Sequence, residues 1–185
     1  MRDVGRALFG FKNEPGTFSS TASSRCARYL SPMKLICDEM LARLGRWLRA
    51  AGYDTEIAEG GIPDRALVAH CAAEMGVLLT RDRHLAEIAA ARGVNVLHLI
   101  ENTVEGQAKR LHRELAIDWQ AAPFTRCLVD NAPLDRAPQK ASAQVPEQSR
   151  AAGGPLRQCP KCARLYWPGG HVRRMLARLT KFNQS

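Results

Sequence analysis

The sequence has no long apolar run. Nothing approaches the ~18 residues that cross a bilayer as a helix, which excludes a helical membrane protein. Cysteine is scarce, six in 185 residues, too few for a disulfide-stapled secreted scaffold. No segment repeats and the apolar fraction is ordinary, so collagen-like, coiled-coil and fully disordered readings fall away. The basic start lacks the apolar stretch of a secretory signal. What is there is an ordinary 45% of hydrophobic and 24% of charged residues, enough for one domain with appendages.

Charge is divided unevenly along the chain. The formal net charge is +9. Residues 1–33 carry five Lys/Arg against two Asp/Glu, residues 34–134 twelve against fourteen, and residues 135–185 ten against two. An acidic-leaning centre beside a strongly basic end suggests two separate physical tasks. The basic end either attracts a polyanion by counterion release or serves only as a solvated tail.

Residues 1–33 show no sustained period, are rich in Ser, Arg and Gly, and read as a disordered extension, with Met33 as an alternative start to Met1. Residues 34–118 alternate strand and helix signals. A short apolar run, 34–37, precedes Met40, Leu41, Leu44, Trp47, Leu48 and Ala51 at helical spacing, closed by Gly52. Strands are expected at 55–58, 77–80 and 94–99. Helices are expected at 64–75, with Leu67, Val68, Cys71 and Met75 on one face, and from about 84 to 91. A capping box of Asn102 and Glu105 opens a last helix through Leu115. This order predicts an α/β fold, a parallel sheet covered by helices on both faces. Residues 119–185 form a second, smaller module: an Ala/Pro/Gln/Gly-rich insert at about 135–157, read as disordered, lies between Cys127…Asp130 and Cys159…Cys162, and a basic helix follows from about 171 to 179.

In open parallel sheets ligands gather beyond the carboxyl ends of the strands. Asp38 follows the first strand, Asp82 follows the third, and Asp64 opens the helix after the second. Three carboxylates within ~4 Å of one another would repel by roughly 4 kcal/mol per pair at an effective dielectric near 20. A divalent cation removes that cost, and oxygen donors favour Mg²⁺ or Mn²⁺. Such a metal can activate water and neutralise charge on a phosphodiester. Thr80 could fix a water or a carboxylate, and Arg43, Arg46, Arg81 and Arg83 could grip phosphate oxygens. Each acid has a plainer alternative: Asp38 and Asp64 as helix caps, Asp82 as a turn residue. His70, His84, His98 and His112 have no ligand spacing, and Cys26, Cys37 and Cys71 are isolated.

Residues 38–54 (DEMLARLGRWLRAAGYD) resemble the opening of the Mut-7 C-terminal RNase domain family, a branch of the PIN-like nucleases. Residues 78–83 (LLTRDR) resemble its second hallmark. Residues 127–131 (CLVDN) and 159–171 (CPKCARLYWPGGH) resemble its appended zinc ribbon. The resemblance spans about residues 34–180. It implies a PIN-like α/β/α sandwich and metal-dependent cleavage of RNA, with Asp38, Asp64 and Asp82 as the acidic cluster. A fourth ligand is left between Glu101 and Asn102. The first knuckle departs from the family's Cys-x-x-Cys: Asp130 stands at its second position, so Cys127, Asp130, Cys159 and Cys162 form a candidate Cys₃Asp zinc site, with His171 as an alternative fourth ligand.

The expectation is therefore a cytoplasmic Mg²⁺- or Mn²⁺-dependent ribonuclease with a structural Zn²⁺, RNA as partner and no membrane. The alternatives are an inactive RNA-binding module, or a nuclease subunit of a larger RNA-processing or toxin-like complex. A homo-oligomer or a protein partner is left open.

Overall fold

The computed structural model describes residues 33–151 and 153–184. The N-terminal extension and the choice between Met1 and Met33 as start lie outside the described residues, Met33 itself excepted. Four short strands, β1 (Leu35–Cys37), β2 (Thr55–Ile57), β3 (Val77–Thr80) and β4 (Val96–His98), pair in parallel in the order β2-β1-β3-β4. The expected α/β architecture is the one observed.

The pleat decides which side chain serves which face. Leu35 and Cys37 of β1 and Leu79 of β3 enter one core, where α1 (Ala42–Ala51) and α4 (Val104–Leu115) supply Leu44, Leu48, Ala108 and Leu111. Ile36 and its register partner Leu78 enter the other, with Leu67, Val68 and Cys71 of α2 (Asp64–Ala73) and Leu85 and Ala89 of α3 (Arg83–Ala91). Strand order reverses between β1 and β3, since β2 lies on one side and β4 on the other. That switch point opens a crevice at the carboxyl ends of β1 and β3.

Two local details differ from the expected pattern. Met75, expected on the buried face of α2, is 88% exposed at φ 49°, because α2 ends at Ala73. Gly76 beside it is kept for close approach: a Cβ there would lie 2.8 Å from Ile36 Cδ1. At α4 the cap is Thr103, whose hydroxyl accepts from the Gly106 amide at 3.1 Å; Asn102 is taken by Arg81 instead.

Past α4 the chain returns to the first core with Trp119, and builds an antiparallel sheet from β5 (Asp135–Arg136), β6 (Arg157–Gln158) and β7 (Leu165–Tyr166). Residues 135–157, read from composition as a disordered insert, hold β5, a 3-10 helix (Gln139–Gln144) and the short α5 (Glu147–Ala151). Buried Ala141 and Val145 seat this stretch, small apolar anchors that a Pro- and Gln-rich composition conceals. The final helix, α6 (Gly170–Phe182), sends Leu179 and Phe182 into the core of β1, α1 and α4, with Phe182 edge-on to Trp47 and Trp119 at 5.4 and 5.0 Å. Among the described residues no helix is long and apolar enough to cross a membrane.

Candidate functional site

The crevice at the switch point is a cleft of ≈ 230 Å³. Asp38, Asp64 and Asp82 all line it, as do Glu39 and Glu59. Asp38 leaves β1 and is buried; its Oδ1 accepts from the Leu41 amide at 3.1 Å, which starts a 3-10 turn over Glu39–Leu41. Its Oδ2 takes the Thr80 hydroxyl and, at 3.3 Å, the Arg81 amide. Thr80 in turn accepts from the Asp82 amide at 2.9 Å, so one hydroxyl joins the ends of β1 and β3. Asp82 caps α3 through its Oδ1, at 2.7 Å from the His84 amide and 3.1 Å from that of Leu85. Asp64 occupies the first turn of α2, after Pro63 at the cap position, where a carboxylate is favoured by the helix dipole.

None of the three aspartates pairs with Lys or Arg within 4 Å among the described residues. The donor set of the cleft is all carboxylate oxygen, the kind that suits a hard dication.

The arginines separate. Arg43 and Arg81 line a neighbouring groove of ≈ 310 Å³, divided from the cleft by Met40, which borders both. Arg81 donates to Asn102 Oδ1 at 2.6 Å there. Arg46 is exposed on α1 and borders neither cavity, and Arg83 points outward to Glu87 at 2.9 Å. Glu101 faces Arg110 at 3.7 Å and does not line the cleft; Asn102 lines only the arginine groove. Glu39 and Glu59 are absent from the sequence expectation. The signal for them was available: Glu39 follows Asp38 directly, and Glu59 lies on the loop that leaves β2 toward the same rim.

The second site is built by two equivalent turns. In each, the residue four after the leading cysteine has positive φ, 60° at Asn131 and 57° at Ala163. In each its amide donates back to that cysteine's carbonyl at 3.0 Å, Asn131 to Cys127 and Ala163 to Cys159. Asp130 therefore occupies in the first turn the place of Cys162 in the second. Candidate ligand atoms of Cys127, Asp130, Cys159 and Cys162 all lie within 4.8 Å of one another. Zn–S bonds of ~2.3 Å and a Zn–O bond of ~2.0 Å at tetrahedral angles span about 3.8 Å between sulfurs and about 3.5 Å from sulfur to oxygen. The separations are 3.8 Å for Cys127–Cys162, 3.5 Å for Cys127–Asp130 and 3.4 Å for Cys159–Asp130. The donors thus fit a tetrahedral ion such as zinc. His171 is exposed and outside this group, so the alternative fourth ligand is set aside in favour of Asp130.

The surroundings push the thiols in opposite directions. Burial pushes the Cys127 thiol up, but hydrogen bonds from the Tyr166 hydroxyl and from the Asp130 and Val129 amides outweigh it and leave it below its ordinary value. The adjacent Asp130 carboxylate pushes Cys162 up to about 11, while the Cys162 hydrogen bond holds Asp130 low.

Buried Arg49 of α1 locks these turns to the sheet. It donates to the Thr55 carbonyl at 2.8 Å and to those of Leu128 and Val129 at 3.1 and 2.6 Å. Asn131 adds two bonds, accepting from the Thr55 amide at 3.1 Å and donating to Asp54 at 2.6 Å. Thr55 begins β2, whereas the acidic rim lies at the strands' far ends. The cysteine turns are therefore fastened to the opposite end of the sheet from the cleft.

A parallel α/β sheet with an acid-lined crevice at its switch point, joined to a pair of turns whose donors could hold a metal ion, defines a two-site α/β protein. The model of one family, described as Mut7-C RNAse domain, matches residues 33–179, and the chain belongs to that family. Membership points to a ribonuclease. Comparison with curated proteins and with solved structures gives no significant match.

Proposed function

We propose that the chain is a ribonuclease that hydrolyses RNA phosphodiester bonds in the acid-lined cleft, using Mg²⁺ or Mn²⁺ held by Asp38, Asp64 and Asp82. The observation that carries this reading is that five acidic residues of a net basic chain line one small crevice, at the place where open parallel sheets bind ligands. When bound, the dication supplies charge neutralisation and activation of water. The protein's own groups do the rest. Thr80 and the Arg81 amide fix the Asp38 carboxylate, and the Asp82 amide fixes Thr80 in turn. Glu39 and Glu59 extend the acidic rim. Arg43 and Arg81, across Met40, bind phosphate oxygens adjacent to the scissile bond.

Within this reading residues 34–118 form the nuclease domain, and residues 119–185 form a zinc-ribbon module whose basic helix holds RNA by its backbone. The protein works in the cytoplasm. A second reading, an RNA-binding module without catalysis, is favoured by one observation: Asp38 and Asp82 already serve as caps.

The deciding experiment is cleavage of end-labelled single-stranded and hairpin RNA with Mg²⁺, Mn²⁺ or EDTA, comparing wild type with Asp38→Asn and Asp82→Asn. The nuclease reading expects metal-dependent products from wild type alone. Three proteins equally inert or equally active would overturn the catalytic assignment, and salt-sensitive binding without turnover would establish the second reading.

A further inference from the structure

Beside the cysteine turns lies a groove of ≈ 480 Å³ that neither the cleft nor the zinc donors account for. Its apolar walls are Phe124, Leu128, Val129, Tyr166, Trp167 and Met175. Val129 is 52% exposed, a large apolar side chain left in solvent at the rim. Arg164 and His171 border the same groove.

The three tryptophans differ in their commitments. Trp119 is fully buried, and both it and Trp47 pack edge-on to Phe182, with the Arg178 guanidinium 5.1 Å over the Trp47 ring. Trp167 is only partly buried and lines the groove. Its indole edge is backed by Gly169, where a Cβ would sit 2.9 Å from Nε1, so a side chain at 169 would displace the ring. Tyr166 is held too, its hydroxyl donating to Cys127 Sγ at 3.3 Å and accepting from the Leu128 amide at 3.0 Å. Tyr166 is thus fixed by the knuckle, and Trp167 lies in the space that Gly169 leaves for it.

We propose that this groove seats an unpaired base of single-stranded RNA, stacked on Trp167, with the neighbouring phosphates held by Arg164, His171 and Arg174. The charge fits this occupant. Residues 135–185 carry ten Lys/Arg against two Asp/Glu, and the Arg174 guanidinium lies back toward Gly170, 3.6 Å from where a Cβ would stand. An apolar peptide would complement the walls and leave these cations facing solvent. The volume falls within the range of small-ligand sites. Stacking on an aromatic side chain tolerates any base, because every base has a π-face. A duplex keeps its bases stacked inside and has none to insert, so the groove selects single-stranded over double-stranded RNA.

This inference rests on the proposal that RNA is the substrate, but its test is binding, not turnover. Fluorescence anisotropy with labelled single-stranded and duplex RNA is measured on the full zinc-loaded chain carrying Asp38→Asn, with and without Trp167→Ala or Trp167→Phe. The expected result is a loss of single-strand affinity of roughly 5- to 150-fold for Trp167→Ala, retention by Trp167→Phe, and unchanged duplex binding. Circular dichroism confirms that the variants fold, and Trp167→Leu, which keeps apolar bulk but removes the π-face, serves as the second probe with the same expected loss if Trp167→Ala does not fold. Equal binding by folded wild type and Trp167→Ala overturns the proposal, as does a groove that takes an apolar peptide but no RNA. Loss of binding in a protein that never cleaves RNA would leave the groove standing and remove only the nuclease.

Discussion

The acidic cleft and the cysteine turns each collect candidate ligand side chains, yet the fold prepares them in different ways. Two short turns with matching backbone bonds and matching positive-φ residues bring three sulfurs and one carboxylate to tetrahedral spacing. The cleft draws its acids from separate elements and gives Asp38 and Asp82 capping work. Thiols are neutral when protonated and tolerate crowding, whereas carboxylates at ~4 Å repel by about 4 kcal/mol per pair at an effective dielectric near 20. The turns position their donors through a repeated backbone motif; the cleft positions its own through caps.

That contrast is sharpest in single substitutions. Asp38→Asn is expected to lower RNA cleavage by on the order of 10²–10³-fold, the scale of losing one preorganised electrostatic group, with zinc content by elemental analysis unchanged. An equal fall in zinc would mean the two sites are not independent.

Cys159→Ser is expected to do the reverse at the other end, releasing zinc. The melting temperature should fall by more than about 5 °C, since ~1 kcal/mol already shifts a domain of this size by roughly 2–4 °C. Unchanged zinc content and melting would break the comparison.

Arg49→Met removes the donor to the Thr55, Leu128 and Val129 carbonyls. Leaving these acceptors without partners should cost about 2–3 kcal/mol in urea unfolding. A smaller change, below ~1 kcal/mol, would show that the turns are not locked to β2.

The smallest effect concerns Glu56 on β2, a carboxylate that does have partners. Burial alone would raise its pKa, but the neighbouring His70 ring at 2.8 Å and Lys34 ammonium at 3.2 Å outweigh that and hold it below 4.5. A depressed carboxylate contributes stability that is present above its unfolded value and lost as pH falls through the folded one. Wild type should therefore melt higher than Glu56→Gln near pH 6, and the two should converge as pH falls below 4.5. A constant difference would assign the effect to packing.

Much of this was legible in the residues because one pattern served one purpose. Ile36 between Leu35 and Cys37 announces a strand buried on both faces, and Asp38 and Asp82 stand at the ends of such strands. Where one residue answers to two demands, the reading slipped. The helical period places Met75 on the buried face of α2, but the helix stops at Ala73 and Met75 takes a positive φ and faces solvent. Asn102 had the chemistry of a cap, but Arg81 binds it and Thr103 caps instead. Glu39 and Glu59 were passed over because a glutamate beside a loop is usually solvated, and only the tertiary crevice brings them together. Asp130 was legible only through the resemblance to a ribbon with two knuckles, which left His171 open beside it; the repeated turn decides between them, because Asp130 occupies the place of Cys162.

The most direct test is anomalous diffraction from crystals grown with zinc and soaked in Mn²⁺. A manganese peak bounded by Asp38, Asp64 and Asp82, together with a zinc peak among Cys127, Asp130, Cys159 and Cys162, is the predicted result. Zinc in the turns with no manganese in the cleft would contradict the account.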